Sequence, residues 1–177
     1  EHRNNGALYV YDPATRETAL LLDELQFANG VAVAADESYV LVVETGNYRV
    51  TRYWLAGPQA GQSDIFIDNL PGFPDGISRG ANRRFWLAIA SPRDRLVDFA
   101  APRPWLRKVI ARLPNFMRPA PKRHAFVLGL SDTGQVIDNL QHNADSSFSP
   151  ITSVEEHHEH LYLGSLAGPT VARYRLR

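Results

Sequence analysis

The sequence predicts an all-β fold: about three blades of a β-propeller, each of four antiparallel strands, with one inserted α-helix. Short β-branched and aromatic runs alternate with Gly, Pro, Asn and Asp along the chain. Phe27-Ala28-Asn29-Gly30-Val31 recurs 46 residues later as Phe73-Pro74-Asp75-Gly76-Ile77, and a degraded third copy begins at Ser149-Pro150-Ile151-Thr152. Each copy leads into an apolar strand, at 39–44, 85–90 and 161–165. A unit of about 40–50 residues holding four strands is the signature of a propeller blade.

Taken in order, a partial blade spans 7–23, with strands at 7–11 and 18–22. A complete blade spans 27–69, with strands at 30–34, 39–44, 49–55 and 63–68. The next spans 73–141, with strands at 76–78, 84–90, 124–130 and 135–139. A final blade of three strands, 151–154, 161–165 and 171–176, closes the unit 149–177. Ala35-Asp36-Glu37-Ser38 and Asp132-Thr133-Gly134 have the lengths and residues of antiparallel hairpin turns. The first and last strands are expected to present open edges, which proteins pair, cover or use for self-association.

The segment 103–113 departs from the strand pattern. Leu106, Val109, Ile110 and Leu113 recur at helical spacing, Arg107, Lys108 and Arg112 lie toward the other side, and Pro114 ends the run. It falls between two strands of one blade and is expected to pack as a surface helix over the propeller face. Its basic side gives it a second expected use, contact with a membrane surface through 104–113.

The composition narrows the function. Of 177 residues, 44% are hydrophobic and 21% charged, enough to build a packed core. Lys+Arg and Asp+Glu each number 19, so the cationic excess of a nucleic-acid binder is missing. Cysteine is absent, which removes disulfides and zinc-thiolate sites. No apolar run approaches the roughly 20 residues of a membrane span. The chain starts at Glu1, so it is expected to be the C-terminal portion of something longer, with any leader, anchor or membrane contact upstream.

Several motifs in the same order resemble the strictosidine synthase-like family and its adipocyte plasma membrane-associated protein-like branch. They are Leu25-Gln26-Phe27-Ala28-Asn29-Gly30-Val31, Val43-Glu44-Thr45, Arg49-Val50-Thr51-Arg52-Tyr53-Trp54-Leu55 and Gly57-Pro58. Leu70-Pro71-Gly72-Phe73-Pro74-Asp75, Arg103-Pro104-Trp105 and His160-Leu161-Tyr162-Leu163-Gly164-Ser165 continue the series. The resemblance implies a six-bladed propeller related to the senescence marker protein, gluconolactonase and paraoxonase group. It further implies calcium in the central tunnel, held by residues at blade openings. Asn29 and Asp75 match two of those ligands, and the others come from blades outside this chain.

The chemistry of these residues suits that implication. Calcium takes six to eight oxygen ligands, and an amide carbonyl and a carboxylate are suitable ones. Asn29 and Asp75 occupy equivalent positions of successive blades, so they are expected to converge on the axis. Asp75 is also a candidate catalytic base. Asn-Gly and Asp-Gly have an alternative reading as ordinary turn dipeptides that tolerate positive φ.

The resemblance also shows departures. Plant strictosidine synthases use a glutamate where this chain has Thr152, and threonine cannot do carboxylate acid–base work near neutral pH. Condensation of an amine with an aldehyde is therefore the least favoured reaction. Gly76 stands where some relatives carry a further oxygen ligand. Glu155-Glu156-His157-His158-Glu159-His160 lacks the spacing of a helical two-histidine metal site and is expected to be a solvated hairpin turn. Thr152 and His157 are candidate substrate-binding residues.

Two functions follow as expectations. One is a calcium-dependent hydrolase of small esters or lactones. The other is a non-catalytic propeller that binds small molecules or proteins, since propellers host unrelated functions.

Overall fold

The computed structural model describes residues 4–100, 103–112, 123–144 and 146–176. Antiparallel strands form four separate sheets, as the partial propeller requires. β1 (Gly6–Asp12) and β2 (Glu17–Leu25) make a two-stranded sheet. β3 (Ala28–Val33), β4 (Tyr39–Glu44), β5 (Arg49–Trp54) and β6 (Ser63–Ile67) follow one another across a four-stranded sheet. β7 (Gly72–Arg79), β8 (Phe85–Pro92), β9 (Ala125–Leu130) and β10 (Val136–His142) repeat that order. β11 (Ser153–His157), β12 (His160–Gly164) and β13 (Ala172–Arg175) form the last sheet.

Tight turns explain the meander. Ala34 donates its amide to Tyr39, and Ser131 to Gln135, closing the two hairpins over the predicted turn residues. Gly134 sits at φ 84°, the left-handed conformation for which glycine costs least.

The sheets pack face to face, and the middle strands carry the core. All six residues of β4 are buried, because both faces of that strand meet apolar neighbours. Tyr39, Leu41, Val43 and Phe66 of one blade pack against Phe85, Leu87, Ile89, Leu128 and Leu130 of the next. Tyr39, Phe66 and Phe85 form an aromatic cluster with ring centroids 5.9–6.2 Å apart. A second cluster joins Trp86, Ala88 and Val127 to Ile151, Val154 and Leu161 of the last sheet. Each such buried side chain contributes about 1.5–3 kcal/mol. Tyr162, by contrast, stays 38% exposed on β12.

The inserted helix is found with a companion. α1 (Arg95–Ala100) and α2 (Pro104–Arg112) both lie in the β8–β9 connection and pack on each other. With six residues, α1 has fewer than two turns, too few to show an apolar period. Of the predicted apolar stripe of α2, Leu106 is half-buried and Val109 is 51% exposed. Leu113 and Pro114 lie outside the described residues.

Candidate functional site

Inner strands β3 and β7 are adjacent across the blade boundary, and β7 is likewise adjacent to β11. The antiparallel register of β3 with β4 breaks between Ala28↔Glu44 and Val31↔Val42, leaving Asn29 and Gly30 as a bulge. The register of β7 with β8 breaks between Pro74↔Ile89 and Ile77↔Leu87, leaving Asp75 and Gly76 in the equivalent bulge. A bulge releases residues from the regular ladder and re-aims their side chains. The 46-residue repeat is therefore also a repeat of backbone irregularity.

The glycines serve close approach rather than turning. Neither Gly30 nor Gly76 adopts positive φ, and both lie inside strands, so the turn reading of these dipeptides does not hold. A Cβ on Gly30 would lie 2.5 Å from the Asp75 carbonyl oxygen and 2.7 Å from the Ile77 nitrogen. A Cβ on Gly76 would lie 2.6 Å from the Thr152 carbonyl oxygen. Gly76 also donates its amide to that oxygen at 3.0 Å. Asn29, Asp75 and Thr152 thus stand at successive equivalent positions of three neighbouring blades. The third opening is regular, since Ser153 pairs with Gly164 at the start of β11 without a bulge.

Asn29 and Asp75 meet. Burial pushes the Asp75 carboxyl above its ordinary range, and a hydrogen bond from the Asn29 side chain opposes that rise. The Asn29 amide nitrogen also donates to Thr45 Oγ1 at 3.3 Å. Thr45 in turn donates to the Pro74 carbonyl at 2.6 Å, tying the residue before Asp75 to the neighbouring blade.

Behind Thr45 lies a residue the sequence reading left without a role. Glu44 is fully buried and accepts from the Gln26 amide (2.9 Å), Asn47 Nδ2 (2.8 Å), Arg49 Nε (2.6 Å) and Thr51 Oγ1 (2.6 Å). Burial pushes its carboxyl up, but the donors from Arg49, Gln26, Thr51 and Asn47 outweigh that and hold it below its ordinary range. The Glu44 network fixes the β4–β5 connection, whose Thr45 and Gly46 amides bond the Phe27 and Gln26 carbonyls. A glutamate ending an otherwise apolar strand was the available sequence signal.

The helical connection reaches the same blade. Tyr48 Oη donates to Asp98 Oδ1 of α1 at 2.8 Å, and the Arg93 guanidinium stacks 4.1 Å from the Tyr48 ring centroid. Tyr48 also packs on Phe73, with ring centroids 4.8 Å apart. The β4–β5 and β8–β9 connections therefore meet at the end of the blades where the inner strands open.

His157 is not brought to this end. It closes β11 next to the β11–β12 turn, with His158 and Glu159 at φ 44° and 59°. Five residues of extended chain separate it from Thr152, roughly 16 Å at strand rise. The expected solvated turn holds for His158 and Glu159, but Glu156 points inward. Its Oε2 accepts Trp86 Nε1 at 2.5 Å and the Ala81 amide at 3.1 Å, pinning the last sheet to its neighbour.

The donor set suits a hard cation in kind. Asp75 offers a partly desolvated carboxylate, and Asn29 presents its NH2 to Asp75 and to Thr45, so its amide oxygen joins Asp75 at a cation only if the amide turns over. Among the described residues no group of three or more His, Asp or Glu side chains gathers, so these two supply a minority of the six to eight oxygens calcium takes.

Comparison with known proteins places the chain among relatives. The sequence model of the family described as Strictosidine synthase matches residues 1–58. The bovine (Bos taurus) adipocyte plasma membrane-associated protein is 38% identical over 99% of this chain and 44% of its own length. Strictosidine synthase-like protein 10 of Arabidopsis thaliana is 36% identical over 97% of the chain and 47% of its own length. The chain thus spans under half the length of these relatives. Among solved structures, a gluconolactonase of Xanthomonas campestris superposes with a TM-score of 0.63 at 16% identity, covering 97% of this chain and 44% of that one. The calcium-binding protein regucalcin of Agrobacterium tumefaciens gives 0.56 at 14% identity, covering 91% and 44%. At such identities the structural matches speak for a shared fold.

Proposed function

We propose that this chain, which belongs to the strictosidine synthase-like family, forms part of a calcium-dependent site that hydrolyses small esters or lactones. The observation that carries this reading is the paired bulge, which sets Asn29 and Asp75 side by side at equivalent positions of adjacent blades. Two fold neighbours, a gluconolactonase and a calcium-binding regucalcin, support it.

In this reading the Asn29 amide oxygen and the Asp75 carboxylate hold the cation. When bound, calcium would polarise an ester or lactone carbonyl and stabilise the charge that develops on its oxygen. Asp75 is also the candidate base for an attacking water. Thr152 offers a hydroxyl for hydrogen bonding to substrate, not a carboxylate for proton transfer.

A calorimetric calcium titration of the protein and of Asp75→Ala tests the reading, followed by an ester and lactone panel with and without chelator. Saturable binding and calcium-dependent turnover, both lost in the variant, are expected. Full activity in Asp75→Ala would overturn the site assignment.

The regular third opening at Thr152 favours a second reading, a propeller that binds small molecules or protein partners without turnover. Ligand binding that persists in chelator, with no turnover across the panel, would select it.

A further inference from the structure

We propose that the exposed face of α2 docks the protein on an anionic lipid surface. This stands apart from the cation reading, and neither depends on the other. Over the whole sequence, basic and acidic residues balance at 19 each. They are not spread evenly. From Phe99 to Ser131 there are seven Lys or Arg and no Asp or Glu. A block of one sign inside a neutral chain gives that segment a local positive field that the rest of the molecule does not share.

The helix adds apolar contact to that charge. Lys108, Val109 and Arg112 lie three, four and seven residues after Trp105, which sets all four on one side of α2. All four are exposed, Trp105 at 66% and Val109 at 51%. On α1, Phe99 is 56% exposed, and the Arg103 guanidinium stacks 3.9 Å from its ring centroid. Arg103 also donates to the Phe99 carbonyl, joining the start of α2 to the end of α1. The carboxylate of α1, Asp98, is engaged by Tyr48 Oη at 2.8 Å.

A helix face that meets only water is expected to be polar. This one sets an indole and a valine among cations. An indole favours the boundary between headgroups and acyl chains, and flanking Lys and Arg reach the anionic headgroups above it. A nucleic acid would satisfy the cations but leave Val109 and Phe99 without an apolar partner. Lipid satisfies both.

Flotation of the 177-residue protein with two kinds of vesicle tests the proposal. One is phosphatidylcholine and phosphatidylserine in equal parts; the other is phosphatidylcholine alone. Binding to the anionic vesicles only, weakening as salt rises, is expected. Lys108→Gln and Arg112→Gln should each weaken it about fivefold. Lipid brominated on its acyl chains should quench Trp105, with Trp105→Phe supplying the background from Trp54 and Trp86. Thermal unfolding checks that these variants, all at exposed positions, remain folded.

No binding to anionic vesicles, or equal binding to both kinds, would overturn the proposal. Binding that survives the double variant at full strength, or leaves Trp105 unquenched, would place the lipid on another face and overturn it. Capture of a DNA duplex without vesicle binding would assign the cations to a different polyanion and overturn it too.

Discussion

The Cα of Gly30 faces the Asp75 backbone so closely that one added methyl group would lie 2.5 Å from the Asp75 carbonyl oxygen. Adjacent blades touch there through backbone, and the two candidate ligands flank the contact. Gly30→Ala is expected to destabilise the chain by about 1–3 kcal/mol through overpacking. Gly76→Ala should behave alike, because its added carbon would meet the Thr152 carbonyl at 2.6 Å. Denaturant unfolding of both variants checks this. Wild-type stability in both would mean that the inner strands separate freely, and the convergence of Asn29 with Asp75 would lose its basis.

Glu44 should make stability depend on acid. Its carboxyl is held below the ordinary value of 4.5 by its donors, so the unfolded chain binds the proton more readily. The resulting stability is fully present above the unfolded value and is lost as pH falls through the lower folded value. Glu44→Gln should flatten that acid limb and cost about 1–3 kcal/mol near neutrality, because one carboxylate acceptor becomes an NH2 facing buried donors. Unfolding midpoints measured between neutral and strongly acidic pH provide the test; parallel curves for the two proteins would contradict it.

Tyr48 should hold the helical connection to its blade. Burial and the Asp98 hydrogen bond both push its hydroxyl above the ordinary phenol value. Tyr48→Phe removes the bond and should cost about 1 kcal/mol locally. Hydrogen exchange of α1 amides is expected to speed up while β4 and β8 stay protected. Equal protection of α1 in both proteins would show that the tether carries no weight.

The Trp86–Glu156 bond should couple the last sheet to its neighbour. Glu156→Ala leaves the indole Nε1 buried without its acceptor, at a cost of about 1–3 kcal/mol. Glu159→Ala, on the exposed turn, is the control and should stay near wild type. Equal unfolding midpoints for Glu156→Ala and the wild type would remove Glu156 from the blade contact.

The outer edges of β1 and β13 lack a paired strand among the described residues, and apolar side chains stand beside them. Tyr9 is 61% exposed, Tyr11 58% and Val171 70%. The 177-residue chain is expected to self-associate through these edges, which static light scattering across concentration measures. A compact monomer at every concentration would refute that.

The strand content, the meander order and the blade repeat were legible in the sequence. Each depends on local chemistry: β-branched runs, turn residues such as Asp132-Thr133-Gly134, and the period between Asn29-Gly30 and Asp75-Gly76. Asn29 and Asp75 could be singled out because their contexts repeat. What could not be read was why glycine follows each of them. Positive φ is a property of one residue, whereas close approach depends on a strand 46 positions away.

Tertiary structure alone decided the partners. Glu44 reads as the end of an apolar strand until Gln26, Asn47, Arg49 and Thr51 surround its carboxylate. Thr45 becomes informative only when β7 brings the Pro74 carbonyl to its hydroxyl. His157 and Thr152 look like near neighbours in the sequence, yet an extended strand sends them to opposite ends of β11. Periodicity is written into the chain because it arises from local backbone preference. Hydrogen-bond partners across a blade boundary are set by packing, and packing is a property of the folded whole.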